Sequence, residues 1–274
     1  MNRKFPNNFS RLEIPLLMLS LSILLICLIY VYLLVMQVAY EGFESVASTR
    51  GWLINHLESC EELPEWCANR NQLQVGDLIL QIGELDYDTF LTSLATPFEG
   101  YSAGDQVALL VSRGDTEFEI IWQLPEIRLT DRIVRLLSTV LFIPFWLAGT
   151  IVLLFLRPRN VGWGLLVAFN YLTALWLVFG FNSPWNIAYS SILLHVVTWL
   201  ILPVYIHLHL AMPESLIGRR TRIFLIALYA FALVMSVLEL GLFLPRQLFF
   251  LPFILAVGVS IGLLVNRYRR QDNE

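Results

Sequence analysis

Long apolar runs and one polar island alternate along this chain. The runs lie at residues 14–38, 133–156, 161–181, 185–212, 223–244 and 248–265. Each approaches the roughly 20 apolar residues that a membrane-crossing helix needs. A soluble core accommodates one such run, but not six. Between the first two runs, residues 41–126 change to short alternating stretches, the period of half-buried strands. The pattern predicts a membrane α-helical bundle of six transmembrane helices with an inserted extracytoplasmic α+β domain. Its parts are an N-terminus at 1–13, a signal-anchor helix at 14–40, the inserted domain at 41–126, a juxtamembrane linker at 127–132, a five-helix bundle at 133–266 and a tail at 267–274. The first run exceeds the roughly 7–15 apolar residues of a cleavable signal peptide, and Gln-Val-Ala at 37–39 is a poor cleavage site, so an uncleaved anchor is expected.

Within the island, residues 52–57, 77–82, 106–112 and 117–123 read as strands. In the last, Phe118, Ile120 and Trp122 alternate with Glu119, Ile121 and Gln123. Arg113-Gly114-Asp115-Thr116 joins the last two strands as a hairpin turn. Its Arg-Gly-Asp tripeptide is read as turn chemistry, because Gly and Asp are turn formers, and not as an adhesion motif. Residues 87–94 form a short helix candidate, with Asp86 or Asp88 available to cap its first N–H groups.

Composition and charge sharpen the picture. The chain is 57% hydrophobic and 15% charged, against about 25% charged in soluble domains. The island carries sixteen Asp/Glu against three Arg, a balance of −13, while the whole chain carries −4 and the remainder therefore +9. Basic residues gather at Arg3, Lys4 and Arg11, at Arg157 and Arg159, at Arg219, Arg220 and Arg222, and at Arg267, Arg269 and Arg270. All of these fall on one side of the predicted spans, which the positive-inside rule assigns to the cytoplasm. Both termini are then inside and residues 41–126 outside, in a multi-pass cell-membrane protein. Arg128, Arg132 and Arg135 fall on the outer side. Their spacing puts them on one helical face, where anionic headgroups or the acidic domain can meet them.

The stretch Leu73-Gln74-Val75-Gly76-Asp77-Leu78-Ile79-Leu80-Gln81-Ile82-Gly83, followed by Gly104-Asp105-Gln106-Val107 and Val111-Ser112-Arg113-Gly114, resembles a bacterial-type PDZ domain. The whole order of one span, an outer PDZ-like domain and a helical bundle is similar to PDZ-containing multi-pass membrane proteins of bacteria. It is also similar to the N-terminal input modules of some sensor histidine kinases. In such domains an extended peptide adds as a strand in a groove walled by a helix. The resemblance implies a groove at Gly42, Phe43, Phe90, Leu91 and Leu94. The chain departs from the family at Glu41, whose charge opposes a terminal carboxylate. The implied ligand is therefore an internal segment, or no peptide at all.

Other candidate chemistry is sparse. Cys60 and Cys67 are spaced for a disulfide in an oxidising compartment, or stay as free thiols in a reducing one. Glu239 is the one acid well inside a run, about 9 Å from the run's end at about 1.5 Å per residue. His195 lies about 15 Å deep from the same side, and across a helix contact the two could form an intramembrane polar pair. His207 and His209 are two residues apart and point in different directions on a helix, which makes a poor metal clamp. No His-Glu-x-x-His, Gly-x-Ser-x-Gly or phosphate-binding lysine loop occurs. No catalytic residue, metal site, cofactor or nucleic-acid partner is expected.

These readings point to a non-enzymatic membrane receptor or signalling-input protein. Its outer domain would bind a peptide or protein segment, and a cytoplasmic signalling partner would read the change through the lipid-embedded bundle. A membrane scaffold or assembly factor is the first alternative. A small-solute transporter built on His195 and Glu239 is the second.

Overall fold

The structure is a computed structural model, and it describes residues 13–59, 71–212, 218–242, 244 and 246–271. The described chain divides into two compact units. One comprises Tyr32–Ser138 and Asn182–Tyr189; the other takes in the remaining described residues.

The first unit is built on an antiparallel sheet. Its strands are β1 (Phe43–Ala47), β2 (Trp52–Leu57), β3 (Leu78–Ile82), β4 (Leu85–Asp86), β5 (Gln106–Arg113) and β6 (Thr116–Gln123). The order is β1-β2-β3-β5-β6, with β4 paired to β3. Alternation decides which faces turn inward: Ile120 and Trp122 of β6 are buried, whereas Glu119, Ile121 and Gln123 are exposed. The core gathers Trp52, Ile54, Leu73, Ile79, Leu109, Val111 and Trp122. Helix α2 (Tyr87–Thr92) packs on this sheet through Tyr87 and Phe90, whose rings meet Trp52 at 4.8 and 5.0 Å. Asp86 caps α2 by accepting from the Thr89 N–H at 2.8 Å. The helix is two residues shorter than the sequence pattern suggests, ending where Ser93 turns extended. The turn from β1 to β2 needs Gly51, because a Cβ there would run into the carbonyl of Ile79.

Two polar networks fasten this unit. The buried Asp77 carboxylate takes a two-pronged bond from Arg113, 2.7 Å at each oxygen, and a third from the Gln74 N–H at 2.8 Å. Arg113 is thus committed to Asp77, and Gly114 in the left-handed region makes the tight β5–β6 turn. The second network surrounds Arg128, which bonds Asp131 at 2.8 and 3.0 Å and Glu58 at 3.3 Å. Glu58 also accepts from the Tyr40 hydroxyl at 2.7 Å. Arg132 stays exposed.

The helices are α1 (Glu13–Met36), α3 (Leu129–Thr139), α4 (Phe142–Phe155), α5 (Val161–Asn182), α6 (Ser190–Ala211), α7 (Arg219–Leu240) and α8 (Leu251–Gln271). Five segments are long and apolar enough to cross a membrane: Ile14–Met36, Leu129–Phe155, Val161–Trp185, Ile187–Ala211 and Arg219–Leu240. They mark the chain as a membrane protein. The sixth predicted run corresponds to a shorter apolar stretch, Leu248–Leu263. Polar residues bound it on both sides, with Arg246 and Gln247 before it and Asn266 and Arg267 after it. The second run also differs from expectation. It is not one continuous helix, because α3 stops at Thr139 and α4 begins at Phe142.

In the helical unit α6 is the central element: 61% of its most apolar stretch is buried, against 17–33% for the other four segments. Leu202, Ile206 and Leu210 of α6 pack with Leu225 of α7, and with Ala256, Val259 and Leu263 of α8. A second cluster joins Leu153, Val167 and Tyr171. Interhelical hydrogen bonds add to the packing, as expected where lipid provides no hydrophobic drive. Ser20 bonds Thr150 at 2.8 Å, Thr150 bonds Tyr171 at 3.2 Å, and the Trp146 indole donates to the Ser20 carbonyl at 3.0 Å. Gly149 lets the Tyr171 ring approach, since a Cβ there would sit 2.8 Å from it.

Candidate functional site

Strand β1 lies at one end of the sheet order, so its outer edge is unpaired among the described residues. The Ser48 N–H bonds the Gly51 carbonyl at 2.9 Å. Antiparallel bonding alternates, so the next residue back, Ala47, directs its N–H and C=O toward the free edge. Helix α2 is tied beside this edge by the Tyr87 hydroxyl, which donates to the Ser48 carbonyl at 2.7 Å. Strand edge and helix are thus joined at Ser48.

The expected groove residues divide in two. Phe43 and Phe90 are buried and belong to the core of the sheet, with Phe43 meeting Phe98 and Trp122 edge-on. Leu91 is half-buried against that core, and Leu94 is half-buried beyond the end of α2. Gly42 is buried with φ at 76°, and its carbonyl accepts from the Glu58 N–H at 3.2 Å.

Glu41, next to Gly42, is held from several directions. Its carboxylate accepts from the Trp185 indole at 2.9 Å, and its carbonyl accepts from the Trp122 indole at 2.9 Å. Arg135 lies over the Trp185 ring and over the Tyr40 ring, with its guanidinium carbon 5.9 and 5.8 Å from the two centroids. The same guanidinium donates to the carbonyls of Leu34, Val38 and Ala39 at 3.0–3.4 Å. Enclosure pushes the Glu41 carboxyl up to about 7, against the opposing effects of the Trp185 hydrogen bond and the Arg135 charge. Burial, reinforced by the Glu58 hydrogen bond, also raises the Tyr40 phenol above its ordinary range. Beside Trp185, Asn186 donates to the carbonyl of Ala95 at 3.2 Å. Segment Asn182–Tyr189 therefore binds both Glu41, just before β1, and Ala95, just after α2. It carries three non-glycine residues in the left-handed region, Asn186, Ala188 and Tyr189.

In the helical unit, His195 Nδ1 stands 3.2 Å from Glu239 Oε2, and both side chains are largely buried. The Trp199 indole donates to the other carboxylate oxygen at 3.2 Å. Phe249 stacks on the His195 ring with centroids 4.8 Å apart. His207 and His209 do not converge. His207 Nδ1 meets the Tyr229 hydroxyl at 3.3 Å, while His209 packs edge-on against Tyr205. No cluster of three or more metal-ligating side chains occurs among the described residues. Cys27 is buried and free, whereas Cys60 and Cys67 lie outside the described residues.

Sequence reasoning passed over Trp199 and the Trp185 contact, and placed Arg135 only on a basic helical face. Trp199 follows His195 by four residues, the spacing that shares a helical face, and that signal was available. Trp185 has the position of a membrane-interface aromatic, and nothing local in the sequence marks Glu41 as its partner. Comparison with protein-family models, with curated proteins and with solved structures finds no match to this chain.

Proposed function

We propose that this chain is a membrane receptor or signalling-input protein that works without catalysis. Its sheet domain is PDZ-like, faces away from the cytoplasm, and binds an extended internal segment of a peptide or protein along β1. The arginine bias of the sequence supports that orientation. The unpaired β1 edge beside α2 is the observation that carries the reading. Main-chain bonding to such an edge supplies affinity, and half-buried side chains such as Leu91 and Leu94 select what lies above it. The bond between Glu41 and Trp185 argues against a terminal carboxylate as ligand. A bound segment changes the load on α1 and α3, which flank the domain in sequence, and a cytoplasmic partner reads that change.

The test uses the full chain in nanodiscs and an array of ten-residue peptides with both ends blocked. Peptides of extended, apolar-alternating sequence should bind the native protein. Ala47→Pro, which removes an edge N–H while leaving the β1–β2 ladder intact, should abolish binding without lowering the melting temperature by more than a few degrees. Equal binding to native and Ala47→Pro protein would sink the proposal, as would binding that requires a free C-terminus.

A second reading rests on the contact between His195 and Glu239. There the helical unit responds to protons or a small solute. Unchanged proton or solute responses in a Glu239→Gln, His195→Ala double variant would remove that reading.

A further inference from the structure

A cavity of about 580 Å3 opens between the first residues of α5, the last turns of α6 and the first turns of α7. That is the volume of a typical small-molecule site, about 300–1,000 Å3. Its lining separates by chemistry. Arg222, His207, Tyr229 and Asn160 supply polar groups, while Val161 and Ile226 are among its apolar walls.

The polar groups differ in how far they are already used. His207 and Tyr229 bond one another at 3.3 Å. Asn160 accepts from the Trp163 N–H at 3.0 Å and so caps α5. The Arg222 side chain is exposed and has no hydrogen-bond or ion-pair partner among the described residues. No acid lines the cavity among the described residues. A guanidinium beside a hydroxyl and an imidazole, with no acid among the described lining residues, suits an anion with oxygen acceptors. The apolar walls extend to the outer surface of the unit, where Val161 is 61% and Ile226 64% exposed. In a membrane protein that surface meets acyl chains. The cavity therefore offers one end to an anion and the other to hydrocarbon.

We propose that this cavity is a binding site for an anionic glycerophospholipid. The phosphate or headgroup anion pairs with Arg222 and accepts from the Tyr229 hydroxyl or the His207 ring. One acyl chain runs out past Val161 and Ile226. Basic pockets between membrane helices recognise anionic headgroups in this way. The site is independent of β1 and of any peptide ligand.

Native mass spectrometry of the full chain, released from mixed vesicles, tests this. Phosphatidylglycerol and phosphatidylcholine of identical acyl chains are supplied in equal amounts. Retained phosphatidylglycerol should exceed phosphatidylcholine. Arg222→Gln should cut that preference about fivefold, the equivalent of about 1 kcal/mol per basic residue. Arg220→Gln, at an arginine outside the cavity lining, should leave it largely unchanged. Tyr229→Phe provides a second cavity variant, read in the same way should Arg222→Gln fail to fold. Ile226→Trp fills the apolar half and should also reduce retention. Equal retention of the two lipids, or a preference indifferent to both Arg222→Gln and Tyr229→Phe, overturns the proposal. Glycerophosphate or inorganic phosphate that competes as well as the whole lipid also overturns it, and leaves a free-anion site in its place.

Discussion

Val75 in the sheet unit and Val234 in α7 are exposed to nearly the same degree, 62% and 57%, yet they face different surroundings. Around Val75 the rule is that of a water-soluble domain. Ile79, Leu109, Val111 and Trp122 are buried, and charged groups such as Arg128, Glu58 and Asp131 pair nearer the surface. Around Val234 the rule reverses. Leu233, Val237 and Ile226 are exposed, while Ser236 and Glu239 of the same helix are buried. The hydroxyls of the helical unit bond back one turn, Thr150 to Trp146, Thr198 to Leu194 and Ser236 to Ala232. In the sheet unit, side-chain oxygens instead close turns and cap α2. The comparison teaches that exposure of an apolar side chain carries meaning only with its solvent, and that one chain here is written for two.

Four experiments break or sharpen this contrast, taken from the largest effect down. Trp122→Ala should destabilise the sheet unit by about 3–5 kcal/mol, because it empties a fully buried site. Urea titration of the full chain, followed by protease sensitivity of the sheet unit, measures it. Val234→Arg should cost about 2.5–3.5 kcal/mol of membrane insertion, the range for arginine near the middle of a span. Val75→Arg, at matched exposure, should stay within about 0.5 kcal/mol; similar losses for both would erase the distinction between the units. Glu239→Leu should lower the stability of the helical unit by about 1–3 kcal/mol, since it strands the Trp199 N–H and the His195 ring. Thermal melts in detergent read that loss, and Glu239→Gln should recover part of it.

The last experiment concerns pH. The Glu41 carboxyl is raised in the folded protein from its ordinary 4.5 to about 7. Between those values the folded chain holds a proton that the unfolded chain has released. Its contribution to stability is therefore full below about 4.5 and is lost as pH rises through about 7. Glu41→Gln should flatten the fall in melting temperature across that window. A slope unchanged by the substitution would mean that Glu41 is not the group responsible.

Much of the sheet was legible because alternation is a local signal. Residues 52–57 were readable as a strand and form β2 with the same bounds. Strand β1 was not, because Phe-Glu-Ser-Val-Ala offers one large apolar residue. The break between α3 and α4 was also hidden. Residues on both sides of it are apolar, and hydropathy alone does not distinguish a bent run from a straight one. His195 and Glu239 stood out because ionisable groups are rare in such helices, and the structure sets them 3.2 Å apart. The network at Glu41 draws on residues far apart in sequence, Trp122, Arg135 and Trp185. No periodicity in one segment encodes that meeting.

Arg135 has a consequence for what this position tolerates. The end of α1 leaves carbonyls without helical partners, and a single planar fork from α3 reaches those of Leu34, Val38 and Ala39. A lysine carries the same charge but concentrates its donors at one point. It cannot span three acceptors while also lying over the rings of Tyr40 and Trp185. The junction is thus a bracket cut to the shape of guanidinium, and a substitution that conserves charge at residue 135 would still loosen the corner.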